Sequence, residues 1–481
     1  MTIKPALDSL ISILNSEQIA SAAQTTIRGF TQSRKITLQD VILFYTLRHC
    51  ETTNKDISSF FSKAEKEPVS KQAMFKAMNK LNPEAFPVII REFAKQFYEN
   101  QDYNTLNGWI ILACDGSKMD LPATPELVNA FGGSLNLSIT DQSQVKKPQA
   151  ACSVLVDVIN HIVLDACVKP YNTSEIPMLY EHLDHCEELL RGKKVMILCD
   201  RYYGSAELFY YCFMHGYHLL VRAKSYMYKK QIADIASDGL IHLEINQQWQ
   251  KRLKREDIRS YAASCPHMDI RVVKNHFTYS LNGYKHQPDP IVVDATYMTN
   301  LSSAEFSKQD VIDLYHIRRW DSETAYFDIK DHLEAERFHS GKYNLVINEM
   351  YGKILCFSIC GVIFDRTEQI IRDRKVNSSD PLYDYLPNMK YICDSIRLEH
   401  KFLQCLLLSS RLTENDKILY LHSFEEHCSR NKVPVRPGRH YKRWHRWMKS
   451  APSVKFRIDG RRNPPIRKCF NTNGYLTVQH A

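Results

Sequence analysis

Hydrophobic residues recur at helical spacing through roughly the first 105 residues of the chain. Apolar side chains share a helical face at positions 38, 41, 42 and 45, again at 57, 60 and 61, and again at 74, 75, 78 and 81. Asn82 and Pro83 then open a further helix that reaches Tyr98. The pattern therefore predicts a set of short helices over this part of the chain.

One of these helices, in the stretch VSKQAMFKAMNKL, carries Lys71, Lys76 and Lys80 along its length. Two interpretations are open. The helix is the second of a helix-turn-helix and enters a DNA major groove, or it belongs to an ordinary helical bundle. The first interpretation makes residues 1–105 a DNA-binding domain.

The pattern changes at Trp109, where helical spacing gives way to continuous apolar runs typical of buried strands. Two β-rich runs that meet at Asn160 and His161 predict a hairpin, and Asn172 with Glu175 predicts the cap of the helix that follows. The predicted order is strands at 109–114, 153–159 and 162–168, a helix at 176–190, a strand at 195–199, a helix at 205–214, and strands at 218–222 and 291–298. This order predicts an α/β fold.

Two of the predicted strands run directly into an aspartate. Asp115 follows the apolar run at 109–114, and Asp200 follows the run at 195–199 and precedes Arg201. A single aspartate at such a place is most simply a turn former or a helix cap. Because open α/β sheets bind ligands at the carboxyl ends of their strands, two of them predict a site.

The stretch from about 225 to 290 is polar and charged, with short strand-like pieces and no helix of obvious amphipathicity, which predicts a β-rich insertion. It contains Trp249 in QQWQKRLKR, an aromatic ring beside four basic residues. Two interpretations are open: the ring stacks on an unpaired DNA base, or it plugs the core of a small sheet.

A helix is predicted from Asp310 to His332. Within it Arg319, Glu323 and Lys330 share one stripe with Tyr326, because steps of four, three and four residues return to the same face. Such a stripe presents an acid to a metal ion with cations on either side for phosphates. The alternative is a surface helix with an ordinary ion pair. A long apolar helix at 344–373 and further helices at 380–425 follow.

Composition adds one local feature to this picture. The 481 residues are 44% apolar, enough for two or three folded domains. The formal charge of +9 is concentrated at the end, where residues 432–468 hold thirteen Lys and Arg against the single acid Asp459. Lys442, Arg443 and Trp444 lie in this basic tail, and cations interleaved with rings suit a nucleic acid. A solvated tail is the alternative.

The cysteines and the apolar runs bear on the compartment. The fourteen cysteines form no CxxC pair, and several lie inside apolar runs, which predicts buried thiols in a reducing cytoplasm. The N-terminus shows no signal peptide, and the longest apolar run, 354–364, is too short to span a bilayer. We therefore predict a cytoplasmic protein without a membrane segment.

Three segments together resemble the DDE transposases of bacterial insertion sequences, in particular the insertion-sequence-four family. They are ACDGSKMDLP around Asp115, LCDRYYGSAELF around Asp200, and RRWDSETAYFDIK followed by LEAERFHSGK around Glu323. In that family a Tyr, Arg, Glu, Lys signature marks the last acidic helix, and Arg319, Glu323 and Lys330 match its spacing. The resemblance covers about residues 30–370.

Two positions depart from the family pattern. The signature tyrosine is replaced by His316, three residues before Arg319, with Tyr315 one place earlier, so the resemblance assigns a phosphate contact to one of these two. Tyr202 stands where the second motif of the family usually has glycine.

The resemblance implies a ribonuclease H-like α/β catalytic domain with a mixed sheet at 106–375, interrupted by the β-rich insertion at about 225–290. An N-terminal helical domain at 1–105 precedes it, and a helical region with the basic tail follows at 376–481. The resemblance further implies that Asp115, Asp200 and Glu323 bind two Mg²⁺ ions, for which Mn²⁺ can substitute, and that Arg319 and Lys330 contact phosphates.

The implied partners are double-stranded DNA at the terminal inverted repeats of a mobile element and target DNA, bound by a homodimer at the bacterial nucleoid. The implied reaction is cleavage followed by joining of 3′ ends, with a hairpin at the element end as intermediate. Two alternatives are open: a metal-dependent nuclease that cuts without joining, and a DNA-binding protein that kept the fold without the chemistry. Intact acids at all three positions argue against the second.

Overall fold

The computed structural model describes residues 3–24, 30, 35–49, 52–99, 103–135, 146–279, 290–376 and 384–435. Within the helix that contains residues 316–323, the backbone of that segment is described and its side chains are not. From residue 436 onward the basic tail lies outside the described residues, and so do its predicted DNA contacts Lys442, Arg443 and Trp444.

The N-terminal part is helical, as predicted. Its helices are α1 (Ile3–Leu14), α2 (Glu17–Ala22), α3 (Leu38–Leu47), α4 (Thr53–Lys63), α5 (Lys71–Met78) and α6 (Ala85–Glu99). A capping box between Thr37 and Asp40 fixes the start of α3, whose residues from Asp40 to Leu47 are all buried. The apolar face of α6 packs on the central sheet and on α1.

The central sheet has nine described strands in the order β2-β3-β1-β5-β6-β9-β8-β7, with β4 also paired to β3. The strands are β1 (Trp109–Asp120), β2 (Gly133–Leu135), β3 (Lys146–Asp157), β4 (Ile162–Pro170), β5 (Lys194–Cys199), β6 (His218–Arg222), β7 (Asp238–Glu244), β8 (His267–Tyr279) and β9 (Ile291–Thr299). Strands β1, β5 and β6 run parallel, and the other pairs are antiparallel. The predicted α/β fold with a mixed sheet is confirmed.

The first long strand differs from its prediction. An end at residue 114 was expected, but β1 continues through Asp115 to Asp120. The reason is its partner: β3 pairs with β1 in antiparallel register from Leu112 to Asp120, so the backbone beyond the apolar run still has a strand to bond. Asp115 is therefore at the end of the parallel pairing with β5 but within β1 itself.

Four helices lie between the strands that precede the insertion. They are α7 (Pro125–Phe131), α8 (Glu175–His185), α9 (Glu187–Leu190) and α10 (Ala206–His215). The predicted cap of α8 is wrong, because Ser174 is the N-cap residue and Glu175 is already the first helical residue. The predicted hairpin is present, since β3 and β4 meet at Asn160 and His161.

The insertion extends the central sheet. β9 pairs with β6, and β8 and β7 continue outward from it. Besides strands it contains three short helices that the sequence pattern did not predict, α11 (Lys229–Ala233), α12 (Gln247–Gln250) and α13 (Glu256–Ser264). These helices are short, and Ile258 and Ala262 are the buried residues of α13, too few to produce a clear amphipathic pattern.

The acidic helix α14 (Lys308–Phe327) begins with a capping box between Ser307 and Asp310 and continues as a π-helix at Asp328–His332. The long helix α15 (Tyr343–Val376) follows. By length and composition α15 is apolar enough to cross a membrane, but its apolar window is entirely buried inside the protein, as in a core helix. The described cysteines are all free, and all but Cys265 are buried.

The N-terminal helices are anchored to α15 by close packing and by buried charge. At Gly352 of α15, a side-chain carbon would lie 2.8 Å from the backbone of Tyr45 in α3, so glycine permits this approach. Beside it, the fully buried Arg48 donates to Asp56 (3.0 Å) and to Glu349 of α15 (2.7 Å). Lys353 donates to the Arg48 carbonyl at 2.7 Å. These contacts tie α3, α4 and α15 into one packed unit.

The C-terminal part contains α16 (Met389–Leu398), α17 (His400–Leu407) and α18 (Glu414–Arg430), which agrees with the helices predicted for this part of the chain. A short antiparallel pair, β10 (Tyr385–Pro387) with β11 (Lys432–Pro434), flanks them. Helices α16 and α18 both pack on α15, which therefore lies at the centre of the helical layer.

Candidate active site

Two aspartates meet where the parallel pairing of β1 and β5 ends. The last paired residues are Ala113 and Leu198, and Asp115 and Asp200 each stand two residues further on. Since neighbouring strands lie about 4.8 Å apart and alternate residues share a face, the two carboxylates occupy one edge of the sheet. Both residues are half-buried. The register of β1 and β5 therefore places side by side the two aspartates that the sequence analysis singled out.

Backbone amides orient both carboxylates. Asp115 accepts a hydrogen bond at Oδ1 from the Gly116 N–H (2.9 Å), and Asp200 accepts one from the Tyr202 N–H (2.6 Å). The turn after Asp200 leads to Ser205, whose side chain caps α10. Each carboxylate thus has a fixed local anchor in the backbone.

Helix α14 is fixed against this edge by Tyr326. Its buried hydroxyl donates to the Asp115 carbonyl at 2.8 Å and accepts from the Val154 N–H at 3.0 Å. Position 323 is three residues before Tyr326 and therefore one helical turn away on the backbone. The side chains of Glu323, Arg319 and His316 lie outside the described residues, so their predicted roles stay predictions.

We expect Tyr326→Phe to lower the free energy of unfolding by about 1–3 kcal/mol, because the Val154 amide would lose a buried hydrogen-bond partner. The urea midpoint of full-length protein measures this change. Tyr202→Phe is the matched control, since the Tyr202 hydroxyl is exposed and contacts the Ser174 hydroxyl at 3.3 Å, and it should leave the midpoint unchanged. Equal midpoints for Tyr326→Phe and wild type would show that the hydroxyl does not anchor α14.

A third carboxylate, which the sequence analysis did not assign to the site, lies beside the two aspartates. Glu175, at the first position of α8, packs over Gly116, where a side-chain carbon would lie 2.5 Å from the Glu175 carboxyl carbon. Burial and the charge of Asp200 raise the pKa of Glu175, while Lys118 and a hydrogen bond from Tyr203 act in the opposite direction. The sequence offered two signals for this contact. Gly116 follows Asp115 directly, and Glu175 is an acid at the start of α8, a helix that precedes β5 in the chain.

Buried polar residues hold α8 in place behind the site. The carboxylate of Asp165 on β4 lies 2.8 Å from Nδ1 of His182 and 2.9 Å from Nδ1 of His185, and Arg91 of α6 donates to it at 2.9 Å. Nε2 of His182 lies 3.0 Å from the Ser153 hydroxyl. Ser153, His182 and Asp165 have the contacts of a hydrolytic triad. Their side chains are at most 1% exposed, so no substrate reaches them and the cluster is structural.

His185 gives this cluster a pH dependence. Its hydrogen bond to Asp165 raises the pKa of His185 against the opposing effects of burial and Arg91; the nearby charges of Asp165 and Glu181 also raise it. A raised folded-state pKa adds stability that is fully present below the unfolded value of about 6.5 and is lost as pH rises through the folded value.

We expect the melting temperature to fall from pH 6 to pH 8 more steeply in wild type than in His185→Gln, which cannot bind that proton. The effect is small because the ring is 41% exposed and solvent screens it. Thermal melts at fixed ionic strength provide the measurement. Glu188→Gln, an exposed change on α9, should keep the wild-type slope. Identical slopes for His185→Gln and wild type would contradict the assignment.

The remaining predicted DNA contacts are spread over several elements. Lys330 donates to the Lys118 carbonyl at 2.8 Å and lies 3.6 Å from Glu336, so this ammonium braces the π-helix against β1. Tyr315 is 4% exposed and packs on Tyr297 with ring centroids 4.7 Å apart. Arg201 is exposed in the turn after Asp200. The DNA contacts predicted for Lys330, Tyr315 and Arg201 stay predictions.

Two exposed aromatic rings flank the candidate site and the insertion. Tyr202 is 45% exposed beside Asp200, and Lys224 lies over its ring at 5.2 Å. Trp249 is 39% exposed at α12 and stacks on Tyr228 at 6.3 Å. One face of the Trp249 ring therefore packs on the insertion and part of its surface is open to solvent, while its stacking on a DNA base stays a prediction.

The donor set decides how a divalent ion would be held. Among the described side chains, no group of three His, Cys, Asp or Glu residues could by itself hold a metal ion. Asp115 and Asp200 supply two hard oxygen donors on one edge, and position 323 lies one turn from the helix residue bonded to Asp115. Carboxylate oxygens are the ligands that Mg²⁺ and Mn²⁺ prefer, so the residues at this edge fit such an ion.

A comparison with known protein families shows which family the chain belongs to. The family described as Transposase DDE domain matches residues 111–359, more than half of the chain. The chain therefore belongs to the DDE transposase family. Domains of this family generally use divalent metal ions. No curated protein matches the sequence.

Among solved structures, a piggyBac transposase synaptic complex with hairpin DNA, determined by cryo-EM, is similar to this chain with a TM-score of 0.42 and 10% sequence identity. The match covers 89% of this chain and 86% of that chain.

Proposed function

We propose that the protein is a DNA transposase of the insertion-sequence-four type, which binds the terminal inverted repeats of its own element, cleaves there and joins the 3′ ends to target DNA. The observation that carries the proposal is the pairing of Asp115 and Asp200 by the β1–β5 register, with α14 bonded through Tyr326 to the backbone of Asp115. Because the chain is of the DDE family, we assign the phosphodiester chemistry to the sheet edge that carries Asp115 and Asp200.

In the proposed mechanism Asp115, Asp200 and Glu323 hold the cofactor, Mg²⁺ or in its place Mn²⁺. Bound there, such ions would supply the Lewis-acid chemistry that phosphodiester cleavage needs. The protein needs no nucleophile of its own: hydrolysis frees a 3′ hydroxyl, and that hydroxyl attacks a second phosphodiester at the same edge. The amides of Gly116 and Tyr202 keep the two aspartates oriented throughout.

DNA is held by residues around this edge. Arg319, Lys330 and either Tyr315 or His316 contact phosphates near the cut, and Arg201 lies beside Asp200. Trp249 stacks on an unpaired base, which suits a hairpin intermediate at the element end. The basic tail with Lys442, Arg443 and Trp444, together with the N-terminal helices, supplies the salt-sensitive part of the affinity. We further propose a homodimer on DNA in the bacterial cytoplasm, at the nucleoid.

The test is an assay of purified full-length protein on duplexes that carry the inverted repeats flanking its gene. Mg²⁺-dependent cleavage followed by joined target strands is the expected result. Nicks without joined products would identify a nuclease instead. Binding without any cleavage in Mg²⁺ or Mn²⁺ would identify a DNA-binding protein that has lost the chemistry.

A further inference from the structure

Glu175 has a place prepared for it by the first aspartate segment. Its carboxyl group occupies the space that a side chain at position 116 would fill, since a β-carbon on Gly116 would lie 2.5–2.6 Å from three of its atoms. Gly116 follows Asp115 directly and donates its N–H to that carboxylate. The strand that carries Asp115 therefore has no side chain at the point where the helix α8 brings in a third acid.

The surroundings of Glu175 are those of a site residue. The carboxyl is half-buried, interacts with the charges of Asp200 and Lys118, and accepts a hydrogen bond from the buried Tyr203. An acid whose only role is to favour the start of a helix works at the solvent-exposed surface, because the helix dipole acts there without a desolvation cost. Glu175 is instead half-buried and interacts with the charge of Asp200.

The position of α8 is also fixed. In the second half of the helix, His182 and His185 bond to the buried Asp165, which Arg91 also contacts from α6. Breaking that cluster would leave a buried charge uncompensated. The helix that delivers Glu175 is consequently held to the sheet at its far end, and its first residue is held at a constant place beside Asp200.

We propose that Glu175 is a fourth carboxylate of the catalytic centre, a positioning residue that acts on the divalent ion at Asp115 and Asp200 through water bound to that ion. This inference rests on the proposed function. It is consistent with the donor set, because no three described carboxylates lie close enough to hold an ion directly. Mg²⁺ keeps several of its waters in protein sites, and a carboxylate one water away can accept their hydrogen bonds.

Direct cation binding tests the proposal independently of DNA cleavage. Mn²⁺ binding to the full-length protein is measured by the loss of the free-ion EPR signal, in wild type, Glu175→Gln and Asp200→Ala. We expect about tenfold weaker Mn²⁺ binding for Glu175→Gln, the range typical of residues that contact metal-bound groups, and a larger loss for Asp200→Ala. Glu181→Gln, on the same helix but paired with Lys169 at 2.8 Å, is the matched control with wild-type affinity.

Gly116→Ala is a second variant that perturbs the Glu175 carboxyl group. Its added carbon would displace the Glu175 carboxyl while leaving every acid in the chain intact. We expect it to weaken Mn²⁺ binding by a similar factor, and the double variant Gly116→Ala/Glu175→Gln to lose no more than Glu175→Gln alone, because both changes remove one interaction. Additive losses of Mn²⁺ affinity in the double variant would show that Gly116→Ala does not act through Glu175. That result would overturn the link between Gly116 and Glu175.

The outcomes separate this proposal from the function it rests on. If Asp200→Ala loses Mn²⁺ binding and Glu175→Gln keeps it, the role of Glu175 is overturned and the proposed transposase site stands. A lower melting temperature for Glu175→Gln with unchanged Mn²⁺ affinity would assign it a purely structural role, which also overturns the proposal. Absence of Mn²⁺ binding and of cleavage in wild type would overturn both.

Discussion

Asp200→Ala should bind terminal inverted repeats as tightly as wild type and fail to cut them. The side chain stands at the edge of the sheet with the Tyr202 amide as a backbone anchor, so its loss leaves no buried charge behind. Removing one ligand of the catalytic ions costs several kcal/mol of transition-state stabilisation, which corresponds to a cleavage rate lower by on the order of 10³-fold. Gel-shift titration and single-turnover cleavage with Mg²⁺ measure the two properties separately.

The control for this experiment is Asp269→Ala, which removes an exposed carboxylate from β8 in the insertion and should cleave at the wild-type rate. Two results would contradict the assignment of Asp200. Loss of DNA binding together with cleavage would indicate a structural role for this residue. Cleavage within a few-fold of wild type would place the chemistry elsewhere.

Arg48→Ala should be the most destabilising single change in the N-terminal helices. Its guanidinium lies between Asp56 and Glu349 with side-chain exposures of 0%, 2% and 4%. Truncation removes the guanidinium from both buried carboxylates, and breaking buried ion pairs in this way costs about 3–5 kcal/mol. We expect a large fall in the urea midpoint, monitored by circular dichroism on the full-length chain.

Two further variants make the Arg48 result specific. Lys35→Ala removes an ion pair to Glu67 whose side chains are 75% and 78% exposed, and it should leave the midpoint unchanged. Replacing Arg48, Asp56 and Glu349 together by apolar residues should recover most of the lost stability, because none of these three buried charges then remains. A midpoint for Arg48→Ala equal to wild type would show that the carboxylates find other partners.

The sheet and the two aspartates were predictable because their signals are local. The apolar runs before Asp115 and Asp200 are buried on both faces, and such runs read as strands without any knowledge of the partner. The end of β1 was not predictable, since it depends on antiparallel pairing with β3. The residues at 115–120 show no pattern that predicts this pairing. Where a strand ends depends on the strand it pairs with as well as on its own residues.

Glu175 shows a different kind of failure. In sequence it is an acid near the start of a helix, where capping is the usual explanation. Its relation to Gly116 joins residues 59 positions apart and exists only after α8 is laid on the sheet. The helices of the insertion were missed for a related reason: α11 and α12 have four or five residues, less than the window in which helical periodicity can be recognised.

The burial of Arg48 has a practical consequence for anyone who wants to retarget this protein. Because α3 and α4 share buried charges with the core helix α15, the N-terminal helices are part of the scaffold that supports the sheet. Exchanging them for a foreign DNA-binding domain would remove packing from α15 and take away the Arg48 partner of the buried Glu349. A chimera with new sequence preference has to append its DNA-binding domain and leave the native helices in place.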